Sequence, residues 1–203
     1  MIDLKHYACI KNRYCIGYFG NSDEHLIQLK LLRPHMERKF IGLDIFLSCK
    51  DVCYRYLQDC PKVIKLSEIK KRKTEFAHIK ELTFDGKSHA VYQFLEESGL
   101  VKYPIEVEEL TEHSDLCVIA THGSYPTKPL IKKQIEMLKK HAQNKGYTVE
   151  IDGQIDNAGL VAGVESTKLY EAASQGIKTI LVPTGLGERL YESMFPNNEV
   201  LRI

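Results

Sequence analysis

The chain has 203 residues, 43% hydrophobic and 27% charged, enough for one large domain or two small lobes. Its net charge of +1 supplies no global positive field to draw nucleic acid and no acidic excess to prevent a packed core. No apolar run approaches the roughly 20 residues of a membrane span, and the opening MIDLKHYACIKNRY lacks a signal-peptide apolar core. A cytoplasmic protein with no nucleic-acid partner is expected. The six cysteines (Cys9, Cys15, Cys49, Cys53, Cys60 and Cys117) match no zinc spacing and include no C-x-x-C pair, so reduced thiols in or near a core are expected.

Strand and helix patterns alternate along the chain. RYCIGYFG (13–20) reads as a strand ending in glycine. Residues 22–40 read as a helix, with Leu26, Leu29 and Leu32 on one face, Ile27 and Leu31 widening it, and Ser22 or Asp23 as cap. Pro34 is expected to kink or split that helix. LDIFLSC (43–49) is a second strand, DVCYRYLQ a short helix and KVIKL (62–66) a third strand. Residues 67–87 are basic, then amphipathic, and give no clear element. HAVYQFLEESG (89–99) is a helix, and the acidic, proline-containing VKYPIEVEELTEHS is a connector. Lobes are expected at 1–108 and 109–203.

The second half is more regular. DLCVIA (115–120) is a buried strand, THGSYPTKP (121–129) a loop, and 130–146 an amphipathic helix. YTVEI, GLVAG and IKTILVP (177–183) read as strands. STKLYEAASQG and GERLYESMF read as helices, and EVLRI as a closing strand. Strands separated by helical segments indicate βαβ units and mostly parallel sheets of Rossmann-like α/β type.

Three loops leave the carboxyl ends of strands in this half, where open α/β sheets bind ligands. The turn GVEST puts Glu165, Ser166 and Thr167 at a helix N-terminus, where unpaired N–H groups favour anions. On that helix Leu169, Ala172, Ala173 and Gly176 form the sheet-facing stripe. Glu171 points roughly opposite, which makes Glu165 the better candidate to face a cleft. The loop THGSYPTK offers the hydroxyls of Thr121, Ser124 and Thr127 and the ammonium of Lys128, a plausible diphosphate cradle without a Walker A or G-x-G-x-x-G pattern. PTGLGERL places Gly185 and Arg189 after the next strand. In the first half, Asp23 and Glu24 open a helix; Asp23 is either a cap or a general base. No metal-ligand spacing is present, and no G-x-S-x-G or H-E-x-x-H motif.

These segments resemble the heptosyltransferase family (glycosyltransferase family 9) of GT-B architecture. GNSDEHLIQLKLLRPHMERKFIGLDIFL (20–47) is similar to the family's opening glycine loop, helix and strand. VIATHGSYPTKP (118–129) is similar to its donor-diphosphate loop, and GVESTKLYEAASQGIKTILVPTG (163–185) to its donor-binding segment. The resemblance implies a compact GT-B-like arrangement of two small lobes. It also implies inverting, metal-independent transfer of a sugar from a nucleotide-diphosphate sugar to a glycan or small hydroxyl acceptor, with no cofactor. It makes Asp23, or Glu24 by alignment slack, the catalytic base. Thr121, Ser124, Lys128, Glu165, Ser166, Thr167 and Gly185 become donor-binding residues. Glu171 is the alternative glutamate, by similarity to other GT-B enzymes. The chain departs from the family where Glu165 replaces an aspartate and Tyr170 a histidine, and family members are much longer. A non-catalytic nucleotide- or sugar-binding protein and a sugar-nucleotide epimerase or hydrolase are the other readings. An open sheet edge on the short first lobe is compatible with a homodimer.

Overall fold

The computed structural model describes residues 13–18, 23–39, 44–57, 60, 62–82, 90–97, 104–105, 107, 114–123, 127–184 and 187–203. The chain divides into two compact units, Met1–Leu100 and Val101–Ile203, ahead of the expected boundary at residue 108. Within the second unit the Ile105 N–H donates to the Met194 carbonyl at 2.8 Å, so the connector's chain is already tied to that unit.

The first unit holds β1 (Arg13–Tyr18), α1 (Asp23–Lys39), β2 (Asp44–Cys49), a 3-10 turn (Asp51–Tyr56), β3 (Val63–Lys65), α2 (Leu66–Arg72), β4 (His78–Leu82) and α3 (Ala90–Glu97). The four strands are all parallel, in the order β3-β2-β1-β4. α1 runs through Pro34 as one helix, so the chain is not split there. Pro34 is on the exposed face, where water can satisfy the carbonyl one turn back that loses its N–H partner. β4 was not legible in the basic stretch 67–87. It is an edge strand of sequence HIKEL, with two charged residues and only Leu82 buried, so it lacks the apolar run that marks a central strand.

The second unit holds β5 (Leu116–Ala120), α4 (Lys132–Asn144), β6 (Thr148–Ile151), β7 (Leu160–Gly163), α5 (Thr167–Ser174), β8 (Lys178–Leu181), α6 (Glu188–Met194) and β9 (Glu199–Val200). Its five strands are parallel, in the order β6-β5-β7-β8-β9. Cys117, Ile119, Leu160, Ala162 and Ile180 pack with Leu138 and Ala142 of α4. Thr179, the alternate residue on β8, hydrogen-bonds Tyr191 of α6, and α5 packs on β7 and β8. Alternate side chains of a strand point to opposite faces, so the sheet is covered on both. Both sheets are therefore Rossmann-like, as expected. No helix among the described residues is long and apolar enough to cross a membrane.

At the carboxyl end of the β5–β7 pair, a Cβ on Gly163 would lie 2.1 Å from the Ala120 carbonyl oxygen. The β5–β7 pairing that shapes the carboxyl edge thus requires glycine. Gly163→Ala should destabilise the second unit by about 2–3 kcal/mol in urea unfolding. An unchanged midpoint would contradict this packing.

Candidate functional site

From β5 the chain steps to β6 on one side, then returns past β5 to β7 on the other. A parallel sheet with this order opens a crevice at the carboxyl ends of the two strands where the direction reverses, here β5 and β7. The residues after β5 are Thr121, His122 and Gly123, and those after β7 are Val164, Glu165 and Ser166. A Cβ on Gly123 would sit 2.0 Å from the Glu165 carbonyl oxygen, so glycine lets the two loops touch. The third loop joins through Thr184, whose hydroxyl donates to the Lys128 carbonyl at 2.7 Å. The structure therefore brings together the three strand-end loops singled out in the sequence.

Glu165 is 4% exposed. Its carboxylate accepts from the Tyr170 hydroxyl at 3.0 Å and from the Gly187 N–H at 3.0 Å. Tyr170 is fully buried and packs against Tyr191 and Phe195, with ring centroids 5.7 and 6.2 Å away. Gly187 immediately precedes α6, and a Cβ there would overlap the Glu165 carboxylate. Glu165 thus ties the β7–α5 turn to the start of α6. The two positions that depart from the family pattern, Glu165 and Tyr170, are bonded to each other.

Ser166 is the N-cap of α5, accepting from the Leu169 N–H at 3.3 Å. Thr167, half-buried, opens the helix. Glu171 lies partly buried in its middle. Lys128 is exposed, and its ammonium has no partner among the described residues. Ser124 and Gly185 lie outside the described residues. Asp23 and Glu24 open α1, and their side chains likewise lie outside those described.

Sequence reasoning missed a second cluster at the same edge. Asp152 follows β6 in the left-handed region, at φ 53°. Its carboxylate accepts from the Thr121 N–H at 2.8 Å and from the Thr121 hydroxyl at 2.6 Å. The Thr121 oxygen also lies 2.6 Å from His122 Nδ1. A hydroxyl has one proton, and here it goes to the carboxylate. His122 Nδ1 must then carry the hydrogen it gives to Thr121, which leaves Nε2 as the other ring nitrogen of an exposed side chain. Lys168, in the first turn of α5, donates to the Asp152 and Gly153 carbonyls at 2.7 Å each. Burial works to raise the Asp152 pKa. The Thr121 hydroxyl and N–H bonds, with His122 and Lys168 nearby, outweigh it and hold the carboxyl below its ordinary value. The signal that could have found Asp152 is its place directly after a strand, once β6 is known to neighbour β5.

A cavity of about 290 Å³ is lined by Tyr147, Leu160, Lys178 and Asn198, at the amino ends of the strands. The carboxyl edge is distinguished by its convergent hydroxyls, backbone N–H groups and cations. Among the described residues no group of three or more His, Cys, Asp or Glu side chains is placed to hold a metal ion.

Parallel sheets flanked by helices, with loops converging at a strand-order reversal, define a Rossmann-like α/β protein. Solved glycosyltransferases share this fold. TibC, a bacterial iron-containing dodecameric glycosyltransferase from enterotoxigenic E. coli, superposes with a TM-score of 0.57 at 12% identity, over 93% of this chain and 62% of its own. This chain therefore spans less than two thirds of that protein. A glycosyl transferase of family 9 from Veillonella parvula gives 0.53 at 10% identity, over 95% and 87%. The chain has the GT-B-like fold that the heptosyltransferase-family resemblance implied. No protein-family model matches the sequence, and neither does any curated protein.

Two predictions follow from this geometry. Glu165→Ala removes the acceptor shared by the Tyr170 hydroxyl and the Gly187 N–H, and should cost about 2–3 kcal/mol in urea unfolding, whereas Tyr170→Phe should cost about 1 kcal/mol. Equal costs would show that the carboxylate is not the hub. For Asp152, the folded pKa lies below the unfolded value of about 3.9. Its contribution to stability is therefore complete above that value and lost as pH falls through the folded one. The stability gap between wild type and Asp152→Asn should hold steady above about pH 5 and close on acidification; a gap that widens in acid contradicts the assignment.

Proposed function

We propose that the chain is a glycosyltransferase-like protein that binds a nucleotide-diphosphate sugar at the carboxyl edge of its second sheet. It would transfer the sugar with inversion to a glycan or small hydroxyl acceptor. The observation that carries this reading is the convergence of the Thr121–Gly123 loop, Lys128 and the α5 N-terminus at the β5–β7 reversal, in a fold shared with glycosyltransferases. In a transfer of this class the acceptor oxygen attacks the anomeric carbon as the bond to the diphosphate oxygen breaks. The leaving group gains negative charge. Lys128, the Thr121 region and the first N–H groups of α5 would receive that charge, a role that fixed dipoles and one ammonium can fill without a metal. Asp23 is the base assigned to the acceptor hydroxyl.

A second reading, nucleotide or sugar binding without turnover, is favoured by one observation. The Glu165 carboxylate is committed to Tyr170 and Gly187, so it contributes to the scaffold of the donor site.

Isothermal titration of the whole chain against a panel of nucleotide sugars should show binding, weakened about tenfold or more by Lys128→Ala, the loss expected for a charge-assisted hydrogen bond. No binding to any donor, or binding indifferent to Lys128→Ala, overturns the donor site. With a turned-over donor, Asp23→Asn should lower the rate by about 10²–10⁴ while leaving donor affinity unchanged. Donor binding with no turnover against any acceptor selects the second reading.

A further inference from the structure

The second unit carries a cavity that the donor site does not use. It lies where the strands begin. Leu160 opens β7, Lys178 opens β8, Glu199 opens β9, and Tyr147 directly precedes β6. With Lys145 and Ile180 they line a space of about 290 Å³, near the lower end of the roughly 300–1,000 Å³ typical of small-molecule sites. The strand register sets Leu160 beside Lys178 and Ile180 beside Glu199. Leu160 and Ile180 belong to the core that α4 covers, and Tyr147 packs against it, so one wall of the cavity is apolar.

The remaining lining is polar, and its charges do not cancel. Lys145 donates to Glu199 at 2.8 Å, and His141 Nε2 lies 3.3 Å from the same carboxylate. Burial works to raise the Glu199 pKa. Lys145 and His141 outweigh it and hold the carboxyl below its ordinary value, so Glu199 is ionised at neutral pH. Its charge is thus answered from the end of α4. Lys178 has no such answer. It is exposed, and its ammonium has no hydrogen-bond or ion-pair partner among the described residues. Two lysines against one glutamate leave the lining with one surplus positive charge. Lys178, Asn197 and Asn198 also line a second space, of about 70 Å³. That rim is anchored to the fold. The Asn198 N–H donates to the Phe195 carbonyl at 3.1 Å, and its side chain hydrogen-bonds the Tyr191 hydroxyl of α6.

We propose that this amino-edge cavity binds a small organic monoanion, a carboxylate carried on an aromatic or branched aliphatic body. The anion sits at the Lys178 ammonium, where a charge-assisted hydrogen bond is open to it. The body lies on Leu160, Ile180 and the Tyr147 ring and leaves water there. One surplus positive charge matches one negative charge. A nucleoside diphosphate brings more charge than the lining can answer, and a neutral sugar leaves Lys178 unanswered and meets an apolar wall. The cavity lies at the opposite end of the strands from Lys128, so it stands or falls separately from the glycosyltransferase reading.

Fluorescence titration of the whole chain with 8-anilinonaphthalene-1-sulfonate, an aromatic monoanion whose sulfonate stands in for the carboxylate, tests the proposal. Binding should saturate at one site per chain. N-phenyl-1-naphthylamine, which lacks the sulfonate, should bind about tenfold or more weakly. Lys178→Glu should weaken the sulfonate probe about tenfold or more, the loss expected for a charge-assisted hydrogen bond, and Asn197→Asp severalfold. Both positions are exposed, so circular dichroism should be unchanged. Lys132→Glu, exposed at the other end of α4, is the control and should leave binding intact. The bound probe should slow amide exchange at 145–147 and 197–199 and resist displacement by ADP or UDP. No saturable binding, equal binding of the uncharged probe, or equal loss on Lys132→Glu overturns the proposal. So does displacement by ADP or UDP, which would put the probe at the carboxyl edge instead.

Discussion

The Glu165 side chain joins parts of the second unit that the chain visits far apart. Its carboxylate bonds Gly187, 22 residues on, and its own carbonyl leaves room only for a glycine at position 123. A carboxylate so little exposed is tolerable because hydrogen-bond donors meet it. Once it is fixed, the loop after β5, the turn after β7 and the start of α6 cannot move independently. Tyr170 extends the constraint inward, through its rings' contacts with Tyr191 and Phe195.

That arrangement decides which groups remain for a ligand. Glu165 is committed inward, Ser166 caps α5, and Lys168 holds the turn after β6. Thr121 is clamped by Asp152. Lys128 remains an outward cation, and His122 an outward ring oriented by Thr121. The N–H groups at the start of α5 add a favourable end for an anion. An edge whose carboxylates are engaged by protein donors and whose Lys128 ammonium faces outward favours a negatively charged ligand over a neutral one.

Much of the fold could be read from periodicity. The buried strands β5, β7 and β8 are short apolar runs, and α4 shows its stripe plainly. β4 could not be read, because an edge strand with a solvated face carries little apolar signal. Pro34 did not split α1, because its cost depends on which face of the helix meets water. At the site, Thr121, Glu165 and Ser166 were legible because strand ends and helix starts are local patterns. His122, Asp152 and Lys168 were not, since their meeting depends on β6 lying beside β5. The inward turn of Glu165 depends on a loop further along the chain. The likeness to family 9 glycosyltransferases was carried by those same local patterns, and the superpositions agree with it at the level of fold.

The most direct test of the central claim, that the carboxyl edge of the second sheet takes a nucleoside diphosphate, is amide hydrogen exchange with and without ADP and UDP. Binding as described slows exchange at 121–123 and 164–168 with at least one of them, and leaves 145–147 and 197–199, at the amino-edge cavity, unchanged. Exchange unaltered throughout, or slowed at the amino edge instead, would contradict the account.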